Sequence, residues 1–350
     1  MLAKCILVML FSSHLYAKQG LLPGFLLEDE RNRISIFQRV APAVVNISNL
    51  KFAHSGFFTY DLTAVPQGSG SGIVWDKKGH IVTNFHVIQK ADKVMVTFAD
   101  GKSQVAKIVG LEPLKDIAVL KLSSPKKGLR TVHLGNSSSL LVGQQAIAIG
   151  SPFGLDQTLT VGIISGLGRS IPGIGGVTIR DMIQTDASIN PGNSGGPLLD
   201  SKGYLIGMNT MIYSQSGSSA GVGFAVPVNT INRIVNQLIR FGRVRRPGLG
   251  VSLFSERINQ QLGIQGIMIR SVLPGGGAEK AGLKGTRRHP QNGKTIWGDV
   301  ILAIDEKRVG SFDELYNTLE TKAIGSYVLV RVQRRYKTFK VNVQLMELSD

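Results

Sequence analysis

Residues 192–197 read Gly-Asn-Ser-Gly-Gly-Pro, a tight, glycine-flanked turn around a single serine. Such a turn exposes the hydroxyl of Ser194 and directs the backbone N–H groups of Gly192, Asn193 and Ser194 towards one point. Convergent N–H donors beside an exposed hydroxyl suit acyl transfer, in which negative charge develops on a carbonyl oxygen. The alternative interpretation is a surface turn without a catalytic role, and the residues upstream discriminate between the two.

A serine hydroxyl needs an adjacent base to attack at neutral pH, and His86 has the most suggestive position for that base. It follows a predicted apolar strand, in Ile-Val-Thr-Asn-Phe-His-Val-Ile at 81–88. Asp116 stands at the start of another predicted strand, in Lys-Asp-Ile-Ala-Val-Leu-Lys-Leu at 115–122. Each residue also has an interpretation without catalysis. His86 could be a buried structural histidine, and Asp116 could be a solvated carboxylate at the end of a strand. The combination with a serine turn is what points to catalysis.

The order His86, Asp116, Ser194 is the chain order of chymotrypsin-like proteases, and the three surrounding motifs resemble those of the HtrA/DegP family. The motifs are Thr-Asn-x-His-Val, Asp-Ile-Ala-Val-Leu and Gly-Asn-Ser-Gly-Gly-Pro-Leu. The resemblance implies a nucleophile at Ser194, a general base at His86 and an orienting carboxylate at Asp116.

Asn193 departs from the pattern of secreted digestive proteases, which carry an aspartate before the serine. In those enzymes the aspartate pairs with a newly cleaved N-terminus, and a neutral asparagine cannot do so. We therefore expect activation by loop ordering, with the loops at 190–193 and 168–177 as the switches.

The specificity pocket is expected along the stretch that precedes the serine turn. Counting back from Ser194, Ser188 falls where trypsin-like enzymes place a pocket-floor aspartate. A neutral floor, with Ile189 and Ile212 nearby, predicts cleavage after small aliphatic side chains. Asp186 is expected to have a structural role, because the family resemblance carries Thr-Asp-Ala at this point.

The segment from 71 to 230 consists of short alternating strands separated by Gly, Asn, Ser and Asp turns, and glycine is abundant at 42 residues. This pattern predicts two packed antiparallel barrels. The apolar spacing over Thr230–Phe241 predicts a helix that closes the domain. With the resemblance, the expected fold class is mainly β, two six-stranded antiparallel β-barrels of chymotrypsin type followed by a C-terminal PDZ domain.

The C-terminal part opens on Gly248-Leu249-Gly250-Val251 and continues through strands and a helix over 298–345. This order resembles a PDZ domain of the HtrA type. In such domains the Gly-Φ-Gly-Φ turn offers N–H groups to a terminal carboxylate, and the adjacent strand edge pairs with the incoming peptide.

The N-terminus resembles a secretory signal, with Lys4 before a short apolar run and Ala17 before a cleavage site. An uncleaved short anchor is the alternative. Cys5 is the only cysteine, so the processed chain would form no disulfide. Export to a bacterial periplasm fits this signal best. The expected division is a signal peptide (1–17), an N-terminal segment (18–34), a protease domain (35–242) and a PDZ domain (243–350).

The formal net charge is +17, with basic clusters at 243–246, 287–288 and 331–337. No nucleic-acid-binding motif accompanies these clusters, which argues against a nucleic-acid partner. The charge is expected to form a solvated face, or to attract anionic lipid head groups or acidic clients. The sequence has no metal-spaced ligand cluster, and we expect no metal and no cofactor.

Three aromatic residues, Phe57, Phe58 and Tyr60, stand in a predicted loop over 51–68. They indicate a subunit interface, a lid over the cleft, or packing against the domain's own surface.

The resemblance implies an ATP-independent serine endopeptidase that degrades unfolded or damaged exported proteins and assembles as trimers or multiples of trimers. Its PDZ domain would bind peptides with apolar C-termini or regulate the protease loops. The alternative from another class is a holdase chaperone or peptide-binding scaffold with latent protease activity.

Overall fold

The computed structural model describes residues 25–54, 62–152, 157–173, 177–190, 192–212 and 221–348. The first six strands form a closed antiparallel barrel, in which each strand pairs with two neighbours. They are β1 (Val44–His54), β2 (Leu62–Val74), β3 (His80–Thr83), β4 (Lys93–Thr97), β5 (Ser103–Glu112) and β6 (Ile117–Leu122). Their order around the barrel is β1-β2-β3-β6-β5-β4.

The next six strands form a second closed barrel of the same kind. They are β7 (Gln145–Gly150), β8 (Thr158–Pro172), β9 (Thr178–Thr185), β10 (Pro197–Leu199), β11 (Leu205–Ile212) and β12 (Gly223–Pro227). Their order is β10-β11-β12-β9-β8-β7. Two six-stranded antiparallel barrels confirm the predicted fold of the first domain.

Three helices accompany the barrels: α1 (Glu28–Val40), α2 (Phe85–Ile88) and α3 (Val228–Phe241). Helix α1 begins inside the segment 18–34 that the sequence separated from the protease domain. Its first turn is acidic, which complements the positive end of the helix dipole. Its side chains Ile36 and Val40 are buried in the core of the barrels. Helix α1 therefore packs against the barrels that follow it in the chain.

One apolar cluster extends from the first barrel into the second and onto α3. Burial of this kind contributes about 25 cal/mol for each Å² of apolar surface, and it fixes the two barrels against each other. Residues from the two barrels therefore meet in a constant geometry at the cleft between them. Representative members are Ile47, Ile81, Leu120, Ile147, Met182, Ile231, Ile234 and Leu238.

The remaining chain forms a PDZ domain around a sheet of order β14-β15-β18-β20-β21, with β19 paired to β18. Strand β14 lies at the edge of this sheet. The strands are β13 (Pro247–Gly248), β14 (Val251–Leu253), β15 (Ile267–Val272), β16 (Arg287–Arg288), β17 (Thr295–Ile296), β18 (Val300–Ile304), β19 (Lys307–Arg308), β20 (Tyr327–Arg334), β21 (Lys337–Gln344) and β22 (Met346–Glu347). The helices are α4 (Glu256–Gln261), α5 (Gly277–Lys280) and α6 (Phe312–Leu319).

The basic cluster at 243–246 connects the two domains and is held by acidic partners. Arg243 and Arg245 both pair with Glu347, at 2.9 and 2.6 Å. Arg246 pairs with Glu112 at the end of β5. The predicted linker is therefore docked on both domains, and its positive charge is largely neutralised. In the described part of the chain, no helix is both long and apolar enough to cross a membrane.

Candidate active site

His86 lies in α2, directly after β3, and Asp116 lies just before β6, which pairs with β3. The Nδ1 atom of His86 is 2.7 Å from Asp116 Oδ2, and the backbone N–H of His86 donates to Oδ1 over 2.9 Å. Both carboxylate oxygens therefore face the histidine. Because Nδ1 donates to the carboxylate, Nε2 is the basic nitrogen.

Asp116 is buried, with 2% of its surface exposed. Its backbone has a left-handed φ of 55°. Such a backbone conformation is costly for a residue with a Cβ, and it persists only where the surroundings enforce it. The Asn84 side-chain amide donates to the Asp116 carbonyl oxygen over 3.0 Å, and the Thr210 hydroxyl donates to Asp116 Oδ2 over 2.5 Å. The sequence reasoning missed both Asn84 and Thr210.

The turn around Ser194 is pressed against the first barrel. Gly192 and Gly195 have φ angles of 105° and 84°, and a Cβ on Gly195 would lie 2.1 Å from the Ser71 carbonyl oxygen. The Ser71 N–H donates to the Ser194 carbonyl oxygen over 2.7 Å. The Ser194 hydroxyl donates to the Thr210 carbonyl oxygen over 2.8 Å. The hydroxyl proton is therefore directed at Thr210, and it has to be redirected to His86 before Ser194 can attack.

The Asn193 N–H, which the sequence reasoning aimed at the oxyanion, donates instead to the Asn190 carbonyl oxygen over 3.0 Å. This leaves the N–H groups of Gly192 and Ser194 as the candidate oxyanion donors. The Asn193 side chain is buried. It accepts from the Thr158 hydroxyl over 3.3 Å and donates to the Ser188 carbonyl oxygen over 3.2 Å. Asn193 thus ties the serine turn to the predicted pocket.

The predicted pocket residues have different surroundings. Ser188 is exposed. Ile189 is 1% exposed and packs in the core of the second barrel, so its side chain is not available to line a pocket. Ile212 ends β11, and its side chain lies outside the described residues. Asp186 accepts the Ile163 N–H over 2.6 Å, which accords with its predicted structural role.

The predicted carboxylate-binding turn lies at the end of an apolar groove between β14 and α6. Gly248 is in β13, the Leu249 side chain is buried, and Gly250 has a φ of 78°. The free edge of β14 begins at Val251. An extended peptide that adds to this edge would place its side chains against α6. Apolar residues line the groove: Leu249, Val251, Leu253, Phe312, Leu315 and Leu319.

Helix α6, one wall of this groove, also contacts the protease domain. Asp313 accepts the Thr178 N–H over 2.6 Å and pairs with Arg180 at 3.2 Å. Glu320, just after α6, pairs with the buried Lys115 at 2.7 Å. Lys115 directly precedes the aspartate of the candidate triad. The groove and the active site are therefore joined by a short chain of charged contacts.

Several predicted features cannot be placed. The signal segment 1–17, the aromatic residues Phe57, Phe58 and Tyr60, and the loop residues 174–176 lie outside the described residues. Residues 168–172 of the predicted switch loop belong to β8. Among the described residues, no group of three or more His, Cys, Asp or Glu side chains is placed to hold a metal ion.

Comparison with known proteins agrees with this architecture. Residues 70–208 match the trypsin-like peptidase domain family, and residues 247–345 match the PDZ domain family. The chain is 49% identical to Protease Do-like 1, chloroplastic, of Arabidopsis thaliana over 329 residues, which covers 94% of this chain and 74% of that protein. It is 38% identical to the periplasmic pH-dependent serine endoprotease DegQ of Escherichia coli, covering 89% of this chain and 69% of that protein.

A solved structure of the HtrA-type protease AlgW with a decapeptide superposes with a TM-score of 0.68 at 32% identity, covering 91% of this chain and 99% of that one. Relatives named as chloroplastic and relatives named as periplasmic are thus both similar to this chain. Because the identities and coverages extend over both domains, the chain belongs to the HtrA/DegP family and is a serine endopeptidase with a trypsin-like domain and one PDZ domain.

Proposed function

We propose that this protein is an ATP-independent endopeptidase that degrades unfolded or damaged exported proteins and cleaves after small aliphatic residues. The observation that carries the proposal is the contact of His86 with both oxygens of Asp116, beside the serine turn. The proposed site of action is the bacterial periplasm, and the proposed assembly is a trimer or a multiple of trimers.

The proposed reaction begins when Ser194 Oγ rotates from the Thr210 carbonyl oxygen towards His86 Nε2. His86 removes the hydroxyl proton as Oγ attacks the peptide carbonyl carbon, and the N–H groups of Gly192 and Ser194 stabilise the oxyanion. The protonated His86 then donates to the leaving amine, and an acyl-enzyme remains. Water, deprotonated by His86, hydrolyses the ester and restores Ser194. The buried Asp116 stabilises the imidazolium in both halves.

The neutral, exposed Ser188 supports the preference for small aliphatic residues, because it offers no charge to a basic substrate side chain. The apolar groove between β14 and α6 supports recognition of peptides with apolar C-termini. Unfolded proteins present both kinds of segment, whereas folded proteins bury them. The excess of positive charge supports peripheral contact with an anionic membrane surface.

Digestion of an unfolded protein such as casein by the purified full chain, beside Ser194→Ala, tests the proposal. We expect cleavage without ATP and a loss on the order of 10⁶-fold in the variant. The sequences of the product ends report the pocket preference, and ultracentrifugation of the variant reports the assembly. Cleavage by Ser194→Ala equal to that of the wild type would refute the triad.

A holdase chaperone or scaffold with latent protease activity is the second candidate. The Ser194 hydroxyl, which donates to Thr210 instead of His86, favours a latent resting state. In that case casein stays intact until a peptide with an apolar C-terminus is added, and the Ser194→Ala protein suppresses client aggregation.

A further inference from the structure

Two hairpins of the PDZ domain bring exposed aromatic side chains together on one face. Trp297 follows the hairpin of β16 and β17 and is 50% exposed, while Tyr336 forms the tip of the β20–β21 hairpin and is 99% exposed. Both line a shallow cavity of about 710 Å³, whose floor includes the apolar side chains of Leu262 and Ile296. We call this surface the Trp297–Tyr336 face.

The tip that carries Tyr336 has an unusual backbone. Arg334 pairs with Lys337, so the loop contains only Arg335 and Tyr336, and Arg335 has a φ of 54°. Two-residue hairpin loops of this kind favour glycine or asparagine at such a position. A residue with a Cβ is strained at such a position, and strain of this sort clusters at functional sites.

The charge on this face is positive and uncompensated. Some cations of the domain have acidic partners, as Arg334 has Asp299 and Lys340 has Glu306. By contrast, four exposed cations that line the cavities beside Trp297 and Tyr336 have no ion pair within the described residues. They are Lys284, Arg287, Arg335 and Lys337.

We propose that the Trp297–Tyr336 face docks the protein on an anionic lipid bilayer. Tryptophan and tyrosine lie preferentially at the head-group level of a membrane, where the ring is partly apolar and its polar edge stays hydrated. Each lysine or arginine near an anionic surface raises the affinity about fivefold. Charge and aromatics on one rigid surface therefore complement a bilayer of anionic phospholipids. This inference specifies the membrane contact proposed above and does not depend on proteolysis.

The face is separate from the peptide groove. None of the residues that line the cavity at Trp297 and Tyr336 lines the cavity between β14 and α6. Peptide binding and membrane docking are thus expected to respond to different substitutions, which makes the two functions separable in one protein.

The test uses the full chain with Ser194→Ala, which prevents self-digestion, and Trp75→Phe, which leaves Trp297 as the single tryptophan. Phosphatidylcholine vesicles with phosphatidylglycerol are expected to sediment the protein and to shift the Trp297 emission to shorter wavelength. Vesicles of phosphatidylcholine alone are expected to do neither. Arg335→Glu with Lys337→Glu removes two cations and adds two anions, so at least about a 25-fold loss of affinity is expected.

Tyr336→Ser is expected to leave the fold unchanged, because the Tyr336 side chain is 99% exposed. It is expected to weaken vesicle binding, whereas Tyr327→Ser, a 67% exposed tyrosine at the other end of β20, is expected to have no effect. Lys77→Glu with Lys127→Glu is the charge-matched control on the first barrel. Equal losses in the controls and the test variants would overturn the assignment. The assignment would also be overturned if the protein binds duplex DNA and the same variants lower the affinity for DNA as much as the affinity for vesicles. The face would then recognise polyanions in general.

Discussion

The hydroxyl of Ser194 donates to the carbonyl oxygen of Thr210 over 2.8 Å. The same threonine donates its own hydroxyl to Asp116 over 2.5 Å. Thr210 therefore contacts both ends of the proposed triad, with its backbone carbonyl on Ser194 and its side chain on Asp116. The hydrogen bond to the Thr210 carbonyl oxygen fixes the resting position of the Ser194 hydroxyl. The hydrogen bond from the Thr210 hydroxyl fixes the Asp116 carboxylate, which orients His86.

Thr210→Val is expected to lower kcat by about 10- to 100-fold, because a hydrogen bond to a charged group contributes about 1.5–3 kcal/mol. Valine keeps the shape of threonine, and the backbone carbonyl is unchanged, so KM for a peptide substrate should stay the same. Thr210→Ser keeps the hydroxyl and serves as the rescue variant. Steady-state kinetics on a fluorogenic peptide decide the point, and equal kcat values in all three proteins would show that the contact has no catalytic role.

The contacts of Thr210 and Asn84 could not be predicted from sequence, whereas His86, Asp116 and Ser194 could be singled out as candidates. His86, Asp116 and Ser194 each stand in a motif whose flanking residues mark a strand end or a tight turn. Thr210 is one residue in the middle of β11, and its contact depends on how the two barrels pack.

Two neighbouring residues of the predicted pocket differ in burial, because Ile189 is buried and Ser188 is exposed. The two residues are adjacent and face opposite ways, so the same stretch contributes one side chain to the core and one to the surface. The contacts between α6 and Lys115 join residues about 200 positions apart, and no local pattern indicates them.

Ser188→Asp is expected to move the cleavage preference from small aliphatic residues to lysine and arginine. The Ser188 side chain is exposed, while its carbonyl oxygen holds the hydrogen bonds from Thr160 and Asn193, so the backbone should stay in place. Competition between two peptides that differ only at the residue before the cleaved bond measures the change. Ser188→Asn, neutral and of similar size, is the control. An unchanged ratio of kcat/KM values would place the pocket floor elsewhere.

Gly250→Ala is expected to abolish binding of peptides at the PDZ groove. An added Cβ would lie 2.8 Å from Met346 Sδ, in addition to the cost of a φ of 78°. Gly263→Ala is a matched control, because Gly263 has a φ of 63° and nothing within 4 Å of the added atom. Fluorescence anisotropy with a labelled peptide ending in valine reports the affinity. If both variants bind the peptide like the wild type, the turn does not hold the terminal carboxylate.

Glu112→Gln is expected to change the pH dependence of stability at the junction between the domains. Burial raises the pKa of Glu112 above its ordinary value of 4.5, and the attraction of Arg246 opposes this only in part. Because the folded-state pKa is higher than the unfolded-state pKa, the stability from the protonated group is fully present below about pH 4.5 and is lost as pH rises through the folded-state value. Glutamine does not ionise, so the variant should gain stability relative to the wild type as pH rises.

Urea unfolding of both proteins at a series of pH values measures this difference. Glu306→Gln provides a contrast of opposite sign, because a hydrogen bond from Lys340 lowers the pKa of the exposed Glu306. Its variant should lose stability relative to the wild type as pH rises, although by a small amount, since solvent screens the pair. The opposite outcome is that the wild type becomes more stable than Glu112→Gln as pH rises. It would mean that the ion pair with Arg246 outweighs the cost of burying the charge of Glu112, so that the charge stabilises the junction.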